Sequence, residues 1–180
     1  MKIMIASDLH GDADCVEKML ALYDRESCEK LLLLGDILYH GPRNDLPKGY
    51  APKRVIALLN ERKDDIIAVK GNCDAEVDEM VLDFEIHPDY IPLVINGISV
   101  IATHGHKYGP KSPPSEKFDV LLYGHSHVLS VQRDACGSVY LNPGSVSIPK
   151  KNNPCSFAIL DNRRIDIIDF NGNQITSVEI

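Results

Sequence analysis

The first half of the chain alternates short apolar runs with segments whose apolar residues recur at helical spacing. The runs lie at residues 2–6, 30–34 and 65–69, and polar residues follow each of them. Two intervening segments have the helical pattern, one at Val16, Met19, Leu20 and Tyr23 after a capping Asp12, and one at Val55, Ile56, Leu58 and Leu59. Strands that alternate with helices pair in parallel within a buried sheet, so this half predicts a parallel α/β arrangement.

The second half is rich in strand patterns and poor in helical ones. Residues 93–95 and 98–101 flank Asn96-Gly97, which is the strongest two-residue signal for a β-hairpin. Further strand-like runs lie at residues 120–123, 138–141, 157–160, 165–170 and 175–178. We expect antiparallel pairing to take over here. Because no repeat or convincing linker interrupts the chain, we predict one α/β domain over residues 1–180.

Composition and charge exclude several classes of protein. The chain has 180 residues, five cysteines and a formal net charge of −7. No apolar run approaches the roughly 18 residues that a membrane span requires. The acidic balance disfavours long nucleic acids as partners, because these are bound through basic patches. The cysteines lack Cys-x-x-Cys spacing, which favours reduced thiols and a cytoplasmic protein. A homo-oligomer is left open.

Nearly all side chains that could bind a metal follow the predicted strands. They are Asp8 and His10 after the first strand, Asp36 after the second, Asn72 and Asp74 after the third, His104 and His106 after the hairpin, and His125 and His127 after the strand at 120–123. Any one such pair occurs often by chance. However, strand ends in an open α/β sheet carry the ligand site, so the joint pattern predicts that these residues converge.

Seven of these residues fit two metal ions better than one. The seven oxygen and nitrogen donors are Asp8, His10, Asp36, Asn72, His104, His125 and His127. They are too many for one tetrahedral site, and the two oxygens of the Asp36 carboxylate could each bind one ion. Ions about 3.5–4 Å apart can hold a bridging hydroxide and the oxygens of a phosphate, which favours phosphoester hydrolysis. We expect two divalent ions, manganese first, with iron, zinc, nickel or magnesium as alternatives.

Five motifs resemble, in order and spacing, those of the calcineurin-like metallophosphoesterase superfamily. They are Asp8-Leu9-His10, Gly35-Asp36, Gly71-Asn72-Cys73-Asp74, His104-Gly105-His106 and Gly124-His125-Ser126-His127. The resemblance runs from residue 3 to about residue 147. It implies an α/β fold, a four-layer αββα sandwich with two mixed sheets.

The resemblance also implies how the ligands divide between the two ions. One ion would be held by Asp8, His10, Asp36 and His127, and the other by Asp36, Asn72, His104 and His125. Among them we expect Asp36, Asn72 and His104 to act in catalysis. The stretch 35–44 and the turn at Asn142-Pro143-Gly144-Ser145 are similar to small bacterial and archaeal phosphodiesterases of this superfamily.

Cys73 departs from the pattern of the superfamily, in which many members carry histidine at this position. An imidazole there can protonate the leaving alcohol, whereas a thiol with a pKa of about 8.5 is a weak proton donor. We expect Cys73 to contact substrate without direct catalysis, with a plain core residue or a redox-sensitive thiol as alternatives. Arg43, in the loop after Asp36, could hold phosphate oxygens bidentately, or could be a solvated loop residue.

Three further residues near the motifs have less defined roles. Asp74 could orient a ligand by accepting an imidazole N–H, as carboxylates do around many metal sites. His106 could do the same, although an exposed loop histidine is the simpler interpretation. His87 lies beside Pro88 with no partner motif, which indicates a structural residue.

The leading functional interpretation is a metal-dependent phosphodiesterase. A hydroxide that bridges two divalent metals would attack a small organic phosphodiester. A phosphomonoesterase or nucleotidase is the close alternative, because the same centre hydrolyses either class. A protein-binding scaffold of the same fold is the alternative from another class. All seven ligand positions are filled here, which disfavours a scaffold, because a scaffold has no chemical reason to keep every donor.

Overall fold

The structure is a computed structural model that describes residues 1–180. The three helices are α1 (Ala13–Arg25), α2 (Pro52–Asn60) and α3 (Glu76–Glu79). The strands are β1 (Ile3–Ala6), β2 (Lys30–Leu33), β3 (Ile66–Val69), β4 (Ile86–His87), β5 (Tyr90–Ile95), β6 (Ile98–Thr103), β7 (Val120–Leu122), β8 (Ser130–Arg133), β9 (Val139–Asn142), β10 (Ser156–Asp161), β11 (Arg164–Asp169) and β12 (Gln174–Glu179). No helix combines the length and the apolar character needed to cross a bilayer.

The first sheet has seven strands in the order β12-β11-β10-β1-β2-β3-β4. Its strands β1 to β4 are parallel, whereas β10, β11 and β12 pair antiparallel and add to the free edge of β1. Helix α1 connects β1 to β2 and α2 lies between β2 and β3, as parallel neighbours require. Asp12 caps α1, because its carboxylate accepts the Cys15 N–H.

The second sheet has five strands in the order β5-β6-β7-β9-β8. Its β5–β6 hairpin turns at Asn96 and Gly97, which have φ angles of 52° and 79°. Two successive positive φ angles are the requirement of a type I′ turn, which matches the twist of the flanking strands. Beyond the hairpin, β6, β7 and β9 run parallel, and β8 returns antiparallel to β9.

Alternation of side chains along the strands divides the apolar core into two layers. Met4 and Ala6 of β1 pack with α1 and α2, while Ile3 and Ile5 point to the opposite face and pack against the second sheet. Because successive residues of a strand face opposite sides, a fully apolar strand such as β1 serves both layers at once. The first sheet therefore lies between the helices and the second sheet.

The α/β architecture with two mixed sheets is confirmed, and one layer differs from expectation. No helix follows Glu79, so the outer face of the second sheet carries a small cluster of Ile101, Leu121 and Tyr123 in place of a helical layer. The crossover from β6 to β7 would be the place for such a helix. It contains three prolines and two glycines between residues 104 and 119, and proline removes a helical hydrogen bond.

The predicted strands and the two longer helices are present with boundaries close to expectation. The expectation that antiparallel pairing takes over in the second half is wrong for β6, β7 and β9, which pair in parallel. Three short elements were not predicted. Strand β4 has two residues and α3 has four, while β8 has a polar, half-exposed sequence that gives no period-two apolar signal.

Candidate metal centre

All seven predicted ligands lie at the carboxyl ends of strands. Asp8 and His10 follow β1, Asp36 follows β2, Asn72 follows β3, His104 follows β6, and His125 and His127 follow β7. Both sheets contribute, and the parallel strands deliver their ends to one side of the molecule.

Five of the seven ligand candidates have a left-handed backbone. Their φ angles are 58° at Asp8, 46° at His10, 56° at Asp36, 65° at His125 and 57° at His127. This region is uncommon for residues with a side chain and costs about 1–3 kcal/mol each, so the surrounding structure must hold it in place. Such strain concentrates at functional sites, where it aims side chains that an extended strand would direct elsewhere.

Three imidazoles are fixed by hydrogen bonds from Nδ1 to backbone carbonyls. The distances are 2.8 Å from His10 to the oxygen of Tyr39, 2.7 Å from His104 to that of Leu34, and 2.7 Å from His127 to that of Ile148. A carbonyl only accepts, so each Nδ1 carries the proton. In the neutral ring Nε2 then has a free lone pair, which is the arrangement of a metal-binding histidine.

The free nitrogens and carboxylate oxygens form two adjoining groups. In the first, Nε2 of His127 lies 3.3 Å from Oδ1 of Asp8 and 3.2 Å from Nε2 of His10. In the second, Nε2 of His104 lies 3.4 Å from Oδ2 of Asp36 and 3.1 Å from Oδ1 of Asn72.

Asp36 adjoins both groups, because its Oδ2 also lies 3.7 Å from Nε2 of His10. The ring of His125 adjoins the second group, with its centroid 5.2 Å from that of His104.

The two carboxylates carry negative charge in a buried position. Asp8 is fully buried and Asp36 is 2% exposed. Burial disfavours their charged forms, but contacts with the imidazoles outweigh it and lower the pKa of both Asp8 and Asp36. Burial also opposes the charged form of His104, yet Asp36 and Asp8 raise its pKa to about 9. A cation bound here would replace that proton.

Asp8 provides the test of whether these residues fit a metal. Its Oδ2 accepts hydrogen bonds from Ser7 Oγ at 2.7 Å and from the His125 N–H at 3.0 Å. Its Oδ1 is buried and has no hydrogen-bond partner. A buried carboxylate oxygen without a donor is costly, and a metal ion between Asp8, His10 and His127 would satisfy it. The residues therefore fit a bound cation.

Asp74 organises the backbone around Asp36. Its Oδ2 accepts from the N–H groups of Asp36 and Gly71 at 2.8 and 2.7 Å, and its Oδ1 accepts from Ile37 at 2.7 Å. Burial raises the pKa of Asp74 despite these donors. The expectation that Asp74 accepts an imidazole N–H is wrong, because its carboxylate accepts only backbone N–H groups, and backbone carbonyls accept from His10, His104 and His127.

Gly71 and Gly124 permit close approach of the loops. A Cβ at Gly71 would lie 2.2 Å from Oδ1 of Asp36, and one at Gly124 would lie 1.9 Å from Oγ of Ser7. A side chain at Gly124 would displace the loop after β1, the first ligand loop, and a side chain at Gly71 would displace the loop after β2, the second ligand loop.

The turn after β9 supports the first ligand loop and was missed as a functional element. The hydroxyls of Ser145 and Ser147 each donate to the carbonyl of Asp8 at 2.9 Å. The amide of Asn142 donates to the carbonyl of Gly124 at 2.7 Å, just before His125. The Asn142 to Ser145 motif is part of the resemblance described above, but spacing alone did not indicate which loops it would hold.

A cavity of about 660 Å³ opens over the ligand groups. Arg43 and Cys73 line it, together with Asn72, His125 and His127. The assignment of Arg43 and Cys73 to substrate binding stays a prediction. Arg43 is exposed and makes no ion pair. Lys150 also lines the cavity and was missed, because nothing in the spacing of its loop relates it to the motifs.

Cys73 lies close to the candidate ligands. Its N–H donates to Oδ1 of Asp36 at 2.8 Å, and its sulfur lies within 4.8 Å of donor atoms of His10 and Asp36. Burial, followed by the charge of Asp36, raises the pKa of Cys73 to about 12. The sulfur of Cys73 therefore lies beside the candidate ligands as a neutral thiol.

The three histidines outside the candidate ligand set, His40, His87 and His106, lie at different distances from it. His87 lies in β4 with its ring beside Glu85, away from the cavity. His40 lies between Tyr39 and Tyr50. His106 is half-buried with its ring 5.3 Å from that of His104, next to the site but outside both donor groups.

The chain is similar in sequence and in structure to known phosphoesterases. Residues 1–164 match the family model described as the calcineurin-like phosphoesterase superfamily domain. Phosphodiesterase YfcE of Escherichia coli K12 is 45% identical over 176 residues, which cover 97% of this chain and 95% of YfcE.

A solved structure of E. coli YfcE, described as a phosphoesterase, superimposes with a TM-score of 0.95 over all of both chains at 43% identity. Phosphodiesterase MJ0936 of Methanocaldococcus jannaschii is 28% identical over 152 residues, 80% of this chain and 83% of that protein.

The contacts of Asp74 generate a prediction about stability. In Asp74→Asn an NH₂ group must face one of the backbone N–H groups that the carboxylate now accepts, which costs about 1–3 kcal/mol. Urea unfolding of the metal-free protein measures the difference. Asp78→Asn is the matched control, because the buried Asp78 carboxylate accepts only the Ala75 N–H and an amide oxygen can keep that bond. Equal losses in both variants would contradict the role given to Asp74.

Proposed function

The chain belongs to the calcineurin-like phosphoesterase superfamily, and from that premise we propose that it is a metal-dependent phosphodiesterase that hydrolyses small organic phosphodiesters. The near full-length similarity to a phosphodiesterase supports the reaction class. The observation in the structure that carries the proposal is the unpartnered Oδ1 of Asp8 beside the free Nε2 atoms of His10 and His127. A protein without a bound cation there would have no physical use for this arrangement.

We assign the seven ligands to two divalent ions. Asp8, His10, Asp36 and His127 would hold one ion, and Asp36, Asn72, His104 and His125 the other. Asp36 is the shared carboxylate, which agrees with its contacts to both His10 and His104. When bound, the ions supply positive charge to the phosphate oxygens and lower the pKa of water.

The protein's own side chains bind and orient the diester. Arg43 and Lys150 bring the only positive side chains to the wall of the catalytic cavity, so they would hold the phosphate oxygens that face away from the ligand groups. The hydrogen bonds of His10, His104 and His127 to backbone carbonyls keep their rings in one orientation during turnover. Asn72 and His104 are the side chains that we expect to contact the reacting phosphate, because His104 lies against both Asn72 and Asp36.

The proposal extends to the metal and the compartment. We infer manganese as the working metal, because oxygen and imidazole donors predominate and the thiol of Cys73 is neutral. Five free cysteines support a reducing compartment such as the cytoplasm.

A direct assay tests the function. Protein stripped of metal is supplied in turn with manganese, nickel, magnesium or zinc, and hydrolysis of bis(p-nitrophenyl) phosphate is compared with that of p-nitrophenyl phosphate. We expect manganese-dependent hydrolysis with the diester preferred. Faster hydrolysis of the monoester would favour a phosphomonoesterase. No hydrolysis with any ion would refute the proposal that the protein is an enzyme.

Two histidine variants test the ligand assignment. His127→Ala removes a buried donor of the first group, so we expect a loss of at least about 100-fold in kcat/KM, the upper range for groups that merely support a ligand. His87→Ala is the matched control, because its partly exposed ring pairs with Glu85 and does not line the catalytic cavity. Metal content and Tm are measured for both. Equal losses of activity would indicate general destabilisation and not the loss of a ligand.

Cys73 generates a prediction about leaving groups. With a neutral thiol and no imidazole at position 73, this position offers the leaving oxygen no efficient proton donor, and such a donor contributes about 10²–10⁴-fold. We expect aryl diesters to react far faster than alkyl diesters, Cys73→His to narrow the gap and Cys73→Ala to change little.

The measurement is kcat/KM over leaving groups of rising pKa, with metal content checked in every variant. A parent enzyme that is insensitive to the pKa of the leaving group would contradict this account. So would an inactive Cys73→Ala variant that retains its metals.

A further inference from the structure

A second cavity of about 840 Å³ adjoins the catalytic cavity and has a basic wall. Its charged lining consists of Lys107, Lys111 and Lys151, and no carboxylate contributes to it. This is unusual in a chain with a net charge of −7. Lys107 is paired with Asp89, whereas Lys111 and Lys151 are exposed and have no ion pair.

The two cavities meet at one residue. Ser126 lines both of them, between His125 and His127 on the catalytic side and Val128 on the other. The half-buried His106 lines the second cavity and lies 5.3 Å, ring to ring, from His104. The second cavity therefore adjoins the catalytic cavity at Ser126, on the side where a substituent of a bound phosphate could lie.

Backbone turns hold the two unpaired lysines at the wall. Lys111 lies at the tip of a turn closed by reciprocal hydrogen bonds between Gly109 and Ser112, at 3.2 and 3.0 Å. Lys151 has a left-handed backbone with φ of 55°, so the consecutive residues Lys150 and Lys151 line different cavities. Ordered turns reduce the entropy lost when the lysines bind a ligand.

Hydroxyl and amide groups add neutral hydrogen-bond donors to this basic wall. Ser112, Ser130 and Gln132 line the cavity together with the lysines. A wall of ammonium groups and hydroxyls binds carboxylate or phosphate groups when no carboxylate of the protein competes for the same donors.

We propose that the second cavity binds an anionic group, a carboxylate or a phosphate, carried on one arm of the phosphodiester. The substrate class is then a diester with a further negative charge on the substituent that enters past Ser126. This inference rests on the proposed phosphodiesterase function and specifies its substrates.

Three diesters with the same p-nitrophenolate leaving group test the inference. Their other arm is phenyl, 4-carboxyphenyl or 4-phosphonophenyl, so that only the distant charge differs, and the carboxylate and phosphonate arms distinguish the two kinds of anion. We expect KM for the anionic diesters to be lower by about threefold to tenfold, the effect of one or two exposed ion pairs. The kcat should stay the same, because the contact is made equally in the ground and transition states.

The double variant Lys111→Ala/Lys151→Ala should lose this preference while it hydrolyses the phenyl diester as the parent does. Lys63→Ala is the matched control, since this exposed lysine precedes β3, at the opposite end of the strand from the ligands. Lys151→Glu should invert the preference, and added salt should weaken it in the parent.

Hydrolysis of all three diesters with equal KM would overturn the anionic subsite and leave the phosphodiesterase function standing. So would a preference that survives in the double variant. Absence of hydrolysis of any diester by fully metal-loaded protein would overturn both proposals.

Discussion

Asp8 and Asp36 place two negative charges almost wholly out of contact with water, and much of the molecule is arranged around them. Ionised carboxylates in such a position are unfavourable unless cations or several donors face them. Asp36 receives the Cys73 N–H, whereas Oδ1 of Asp8 receives nothing. The Nε2 atoms of the nearby imidazoles are directed inward, because backbone carbonyls hold their other nitrogens. The positive ion that we propose within each donor group would face these nitrogens and the buried carboxylates together.

The fold supplies this site through strand direction and loop strain. Parallel pairing in both sheets brings the carboxyl ends of β1, β2, β3, β6 and β7 together, although their residues are far apart in sequence. The left-handed backbone at five candidate ligand positions then turns the side chains inward. The carboxylate of Asp74 and the hydroxyls of Ser145 and Ser147 fix the loops concerned. Rigid support of this kind is what keeps donors within coordination distance before a metal binds.

The individual strands and the polar residues that converge at their ends could be predicted from the sequence, because both depend on local patterns. Apolar runs followed by aspartate or histidine are readable one strand at a time, and their convergence follows from parallel pairing. Features that depend on contacts between distant parts of the chain could not be predicted from the sequence. The parallel pairing of β7 with β9, the backbone partners of Asp74 and the position of Lys150 in the cavity depend on how distant loops meet. The absence of a helix on the outer face of the second sheet could have been predicted in part, because the segment between β6 and β7 contains three prolines.

Anomalous diffraction from crystals loaded with manganese can show whether two ions share the Asp36 carboxylate, as we propose. We expect two manganese peaks about 3.5–4 Å apart. One peak should lie against Asp8, His10 and His127 and the other against His104, with Asp36 contacting both. In Asp36→Asn crystals at least one peak should be lost, because a neutral amide cannot hold two cations. A single peak in the parent protein, or two fully occupied peaks in Asp36→Asn, would show that Asp36 is not a carboxylate shared by two ions.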